Sequence, residues 1–147
     1  MSEILDLIKS RKSVRSFDGR ELSAEHRERL ENYARSVENP FGVPGSFTML
    51  DAKQYGLSSP VLTGERLYIA GTVEKVPHAE EAFGYSLERL VLFAWSLGIG
   101  TVWIGGTMKR ELFEKAVGLT PDRRMPCISP LGYPAEKRSL RETMMRA

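Results

Sequence analysis

Apolar positions recur along the chain at two spacings, and each spacing predicts a type of element. Ile4, Leu5, Leu7 and Ile8 share one side of a helix over Ser2–Ser10, with Ser2 a candidate N-cap. A second helix starts at Ser23, where Leu30, Tyr33, Ala34 and Val37 fall at i, i+3, i+4 and i+7. Residues 39–46 hold two prolines and two glycines and read as a loop. Residues 47–51 and 66–73 concentrate β-branched and aromatic side chains and read as strands; the turn-rich piece between them, 52–64, has no clear period. Residues 80–97 form the clearest helix: Phe83, Leu87, Leu90, Val91, Ala94 and Trp95 keep helical spacing, and Leu92 and Phe93 make it apolar almost all round, as in a central core helix. Gly98 stops it. A short strand is predicted over 101–104, then a helix over 109–117 closed by Gly118, then a strand-like run over 125–132 in which Pro126 and Pro130 restrict ladder bonding. The tail, 136–147, is charged and ends on a short helical pattern. Helices and strands mix without strict alternation, which favours an α+β class over a doubly wound parallel sheet.

Composition narrows the class. At 147 residues, the chain suits a single domain spanning 1–147. Hydrophobic residues at 41% and charged residues at 27% exclude a wholly disordered chain. Twenty-one Lys and Arg against 19 Asp and Glu leave +2, too little to imply a nucleic-acid or membrane-surface partner. The lone Cys127 excludes an internal disulfide and a paired-cysteine metal site, and His26 and His78 are far apart, so no zinc spacing exists. The most apolar stretch, 90–104, is too short to span a bilayer, and the start of the chain carries no signal-peptide pattern; a reducing, cytoplasmic location is expected.

Three places carry candidate chemistry. Arg11, Ser13 and Arg15 alternate within a tract that also holds Lys12 and Arg20. In extended backbone they point one way, and two guanidinium forks beside a hydroxyl form a phosphate receptor. The plainer alternative is a solvated helix end with surface arginines. The cluster Gly98, Gly100, Gly105 and Gly106 is no dinucleotide fingerprint, because a helix precedes it and a strand follows. Gly105 and Gly106 lack side chains, so their N–H groups could lie against a planar ligand, or they could form an ordinary turn. Lys137 and Arg138 follow the turn Gly132-Tyr133-Pro134 and could reach a phosphate or lie in solvent. Cys127 reads as a small buried hydrophobe. No nucleophile elbow or P-loop exists, so any catalysis calls for a cofactor.

Taken in order, these pieces resemble the FMN-dependent nitroreductase family. The stretch from Leu7 through Arg11, Ser13 and Arg15 to Phe17 is similar to its opening motif. The stretch from Leu97 to Gly106 is similar to its helix-to-strand flavin motif, and that from Leu131 to Arg138 to its closing basic pair. The resemblance implies an α+β fold with a mostly antiparallel or mixed sheet flanked by helices, a homodimer, and FMN at the subunit interface. By position, Arg11, Ser13 and Arg15 would hold the FMN phosphate and ribityl chain, with Lys12 and Ile104 also among the cofactor-binding positions. Gly105 and Gly106 N–H groups would face flavin N5 and O4, and Lys137 and Arg138 would complete the phosphate site. The implied reaction passes hydride from NAD(P)H through FMN to a small electron-poor acceptor such as a nitro compound or quinone. Two departures stand out. Phe41 occupies the position where the family offers a flavin-contacting Asn, with Asn39 as a substitute. The chain also ends soon after the basic pair, as in a short or C-terminally cut member. The alternative function is a non-catalytic dimeric module that has lost FMN or binds flavin without turnover.

Overall fold

The computed structural model describes residues 2–136. Its elements are α1 (Ser2–Ser10), α2 (Ala24–Ser36), β1 (Ser46–Asp51), α3 (Ala52–Tyr55), β2 (Leu67–Glu74), α4 (Ala79–Ser96), α5 (Arg110–Val117), β3 (Arg123–Arg124) and β4 (Ile128–Pro130). The helical period therefore placed α2, α4 and α5 to within a residue or two. Ser23 caps α2, its side chain accepting from the His26 N–H. Gly118 ends α5 in the left-handed conformation (φ 67°), which costs glycine no Cβ clash. The lower charged tail, 137–147, lies outside the described residues.

β2 is the central strand. It pairs antiparallel with β1 on one edge and with β4 and β3 on the other. Its alternate residues enter different cores, as a period of two requires. Leu67, Ile69 and Val73 pack with Leu30 of α2 and Phe83, Leu87, Leu90 and Val91 of α4. Tyr68 and Ala70 pack with Leu50, Phe113 of α5, Ile128, Val14 and Phe17. The apolar-all-round character of α4 follows from its being packed by β2, α1 and α2 together, and the fold is α+β with an antiparallel sheet between helices.

Two expectations need correction. The run 125–132 is not one strand. Tyr68 pairs with Pro130 and Ala70 with Ile128, but Val73 pairs with Arg124. Between these pairs two residues on β2, Gly71 and Thr72, face three on the other side, Met125, Pro126 and Cys127, a bulge that sets one extra residue around Pro126, which has no N–H for the ladder. The predicted strand 101–104 is reduced to isolated bridges, Gly100 with Gly132 and Ile104 with Ile128. These keep one antiparallel register, and the missing rung would pair Val102 with Pro130. Pro130 has no N–H to donate to the Val102 carbonyl, so half of this rung cannot form; the other half runs through a side chain, the Val102 N–H donating to Ser129 Oγ at 3.2 Å and that hydroxyl donating to Pro130 O at 2.8 Å.

The unplaced piece 52–64 begins with α3, capped by Asp51, whose side chain accepts from the Gln54 N–H at 2.8 Å. It then runs back along the N-terminal tract. The Thr63 N–H donates to Arg15 O at 3.0 Å, and the Phe17 N–H donates to Thr63 O at 2.9 Å.

Candidate functional site

The tract after α1 is extended and wedged between two distant segments. Ser13 bridges Thr101 in parallel, the Val14 N–H donates to Thr101 O at 2.9 Å, and Ser16 bridges Thr63. Val14, Ser16 and Phe17 are buried, while Ser13 and Arg15 are only half-buried. The alternation read from the sequence is therefore real: the apolar members face the core and Ser13 and Arg15 face out.

Arg11 closes the last turn of α1, its N–H donating to Leu7 O at 2.8 Å, so its cation sits at the favourable end of the helix dipole. Its Nη2 donates to Thr101 O at 3.3 Å and Oγ1 at 3.2 Å. Its Nε is buried and has no partner among the described residues. Burial lowers the Arg11 pKa from the usual guanidinium range, Glu88 opposes that shift and Arg15 adds to it. A half-buried cation with an unmet donor next to a second cation is an unfinished site, since a buried donor without an acceptor is costly. Lys12, the neighbour between Arg11 and Ser13, is exposed.

Ile104 is buried and carries the chain out to Gly105 and Gly106, both exposed. Neither glycine N–H has a protein acceptor among the described residues. A Cβ on Gly106 would meet nothing within 4 Å, and one on Gly105 only Pro126 O at 3.7 Å. The space beside both glycines is open. Gly106 lines a hollow of about 680 Å³ with Ser59, Leu62, Glu65, Thr107 and Lys109 among its walls, a size common for small-molecule sites.

Residues without a sequence signal join these pieces. Buried Ser59 donates from Oγ to Thr107 O at 2.6 Å, fixing the glycine turn to the piece that pairs with Arg15. Tyr68 donates from its hydroxyl to Glu65 Oε2 at 2.6 Å, and burial, with Glu65 in support, pushes its phenol pKa up. Glu65 is thereby held on the hollow's wall. Thr63, Ser59 and Glu65 lie in or beside the stretch without periodicity, so only the pairing of distant chain segments could reveal them.

Asn39 is not brought to this hollow. Its Nδ2 donates to Val43 O at 2.8 Å and Ser86 Oγ at 3.2 Å, and its Oδ1 accepts from the Phe41 N–H at 3.0 Å. It lines another hollow with Tyr33, Tyr85 and Arg89. Phe41 is exposed and stacks on His78 at 6.0 Å between ring centroids. Lys137 and Arg138 lie outside the described residues.

Cys127 is 7% exposed, and burial pushes its thiol pKa up to about 12. The thiolate is the reactive form, so iodoacetamide at neutral pH is expected to leave the native protein unlabelled and to label it once unfolded. The raised pKa also has a sign: its contribution to stability is complete below about pH 9 and is lost as pH rises toward about 12. Denaturant midpoints measured across that range check it. No three His, Cys, Asp or Glu side chains among the described residues group as metal ligands. No described helix is long and apolar enough to cross a membrane.

Solved structures share this fold. The chain is similar to a nitroreductase with bound FMN from Bacteroides fragilis NCTC 9343, at 21% identity and a TM-score of 0.73, covering 95% of this chain and 92% of that one. It is similar to an FMN-dependent nitroreductase from Clostridium difficile R20291, at 18% identity and a TM-score of 0.70, covering 92% and 90%. It is also similar to an oxidized iodotyrosine deiodinase bound to FMN and 3-iodo-L-tyrosine, at 19% identity and a TM-score of 0.72, covering 92% of each chain. These likenesses establish a nitroreductase fold. Residues 3–147 match the family described as "Putative TM nitroreductase", and the chain belongs to that family. No curated protein matches it.

Proposed function

We propose that this protein is an FMN-dependent oxidoreductase that takes hydride from NADH or NADPH and passes it to a small electron-poor acceptor, such as a nitro compound or a quinone. The observation that carries the reading is the cationic tract. Arg11 keeps a buried, unmet Nε–H, with half-buried Ser13 and Arg15 beside it, and an anionic phosphate supplies the acceptor that this Nε–H lacks. The residues fit FMN at the other end too, where Gly105 and Gly106 offer open space and unused N–H groups. Bound FMN supplies the hydride chemistry, which asks little of protein acids or bases. Arg11, Ser13 and Arg15 anchor the phosphate and ribityl chain. The glycine N–H groups donate toward the flavin edge that gains negative charge on reduction, the arrangement by which fixed donors stabilise developing charge.

The reading includes a homodimer. Leu5 and Ile8 on α1, with Trp103 and Leu112, expose large apolar surfaces that suit a second copy. A reducing, cytoplasmic setting suits the lone buried thiol of Cys127.

The test is spectroscopic. Purified protein with added FMN is expected to retain flavin through gel filtration, and the flavin band is expected to bleach on adding NADH or NADPH without oxygen. Flavin retained but not bleached would mean a binding module without turnover. No retention in excess FMN would overturn the reading. Gly105→Val supplies the control: its side chain has room in the fold but stands on the proposed flavin face, so it should fold and lose flavin.

A further inference from the structure

Arg110 has a role that its position in the helix does not explain. It is the first residue of α5, where a cation opposes the helix dipole. Its nearest acid, Glu114, is 3.8 Å away. Its guanidinium instead divides among three backbone carbonyls. Nη1 donates to Met125 O at 2.5 Å, and Nη2 donates to Gly105 O at 2.6 Å and Pro126 O at 3.5 Å. Two of these carbonyls belong to the bulge beside β4, and the third belongs to the glycine turn.

The Gly105 carbonyl shares its peptide plane with the Gly106 N–H. In a trans peptide the two bonds point in opposite directions. Holding Gly105 O on Arg110 therefore turns the Gly106 N–H away from α5. That N–H has no protein acceptor among the described residues, and Gly106 lines the hollow with Ser59, Leu62 and Glu65. A guanidinium bonded to a carbonyl also polarises its amide and strengthens the N–H on the other side. Without a side chain, Gly106 has no packing of its own to fix the plane.

We infer that Arg110 is a positioning residue: through the Gly105 carbonyl it sets the direction and the donor strength of the Gly106 N–H toward the ligand in the hollow. This rests on the FMN reading above. A polarised donor favours the flavin after it has gained negative charge more than before, so Arg110 raises the reduction potential of bound FMN.

Two variants test it. Arg110→Met keeps the stem and loses the donors; Arg110→Lys keeps the charge but offers a point donor in place of the fork. Both are checked by circular dichroism, loaded with FMN and titrated for midpoint potential and for affinity in each redox state. In R110M, reduced FMN should lose about tenfold more affinity than oxidised FMN, a fall of about 30 mV for a two-electron couple. R110K should fall in between. A purely structural role weakens both states alike, and an unchanged potential overturns the proposal. Should R110M fail to fold, R110K decides: wild-type potential in R110K overturns it. A second readout needs no flavin. The Gly106 amide proton and nitrogen resonances of the flavin-free protein should move upfield in the variants, and unchanged resonances overturn the proposal. Failure of the FMN reading is distinct, because the wild-type protein would then bind no flavin.

Discussion

Replacing Arg11 and Arg15 together by alanine is expected to strip FMN from a protein that still folds. Each guanidinium supplies charge-assisted donors to the phosphate, worth about 1.5–3 kcal/mol apiece. The pair is thus worth about 3–6 kcal/mol, or roughly 100- to 10,000-fold in FMN affinity. The cost to the fold is smaller. Arg11 gives up its two bonds to Thr101, a loss of about 1–2 kcal/mol, and removing the guanidinium also removes the buried unmet Nε. Arg15 contributes its backbone carbonyl to Thr63, which alanine keeps. Flavin fluorescence titration measures the first effect and a denaturant curve the second. A double variant that retains stoichiometric FMN would show that the phosphate lies elsewhere.

The second large effect is expected at Gly64, where alanine should destabilise the fold and weaken FMN binding together. Gly64 sits at φ +79°, and a Cβ there would stand 2.2 Å from the Phe17 carbonyl oxygen and 3.0 Å from its carbon. Both obstructing atoms are backbone, so no side chain can rotate away. The clash pushes apart the strand-like rung in which Phe17 donates to Thr63. The left-handed conformation and the forced shift together cost about 3 kcal/mol or more, roughly 10 °C in Tm. The same rung holds the tract of Ser13 and Arg15, so FMN affinity falls with it. Gly42→Ala is the matched control: it shares the left-handed conformation (φ +69°) but has nothing within 4 Å of the added Cβ. It should cost about 1 kcal/mol and leave FMN affinity unchanged. Equal Tm losses in the two variants would mean that the contact with Phe17 yields more easily than backbone should.

Much of the helical layer was legible in the sequence. The period of Phe83, Leu87, Leu90 and Val91 is local information, carried by residues three and four apart, and α4 lies where that period placed it. The alternation of Arg11, Ser13 and Arg15 is equally local, and the extended backbone it needs is present. β1 and β2 were visible for the same reason.

The rest depended on which distant groups meet. The run 101–104 has a strand's composition, but whether it makes a ladder is decided by its neighbour. Pro130 stands opposite Val102 and has no N–H to give its carbonyl, so the rung is incomplete, and the Ser129 hydroxyl links only the Val102 N–H to Pro130 O. Thr63 carries no periodic signal, yet it spaces the cationic tract because the chain returns along Arg15 and Phe17. Asn39, plausible by sequence distance, spends its amide within its own loop and on Ser86. Arg110 reads as an ordinary first-turn residue until three carbonyls from other segments converge on it. By itself, then, the sequence determined the helices, the central strands and the residue types that could hold a phosphate, because each depends on near neighbours along the chain. Tertiary structure alone decided which of those residues share a surface, because hydrogen bonds between segments far apart in sequence are fixed only when the core packs and brings those segments within reach of one another.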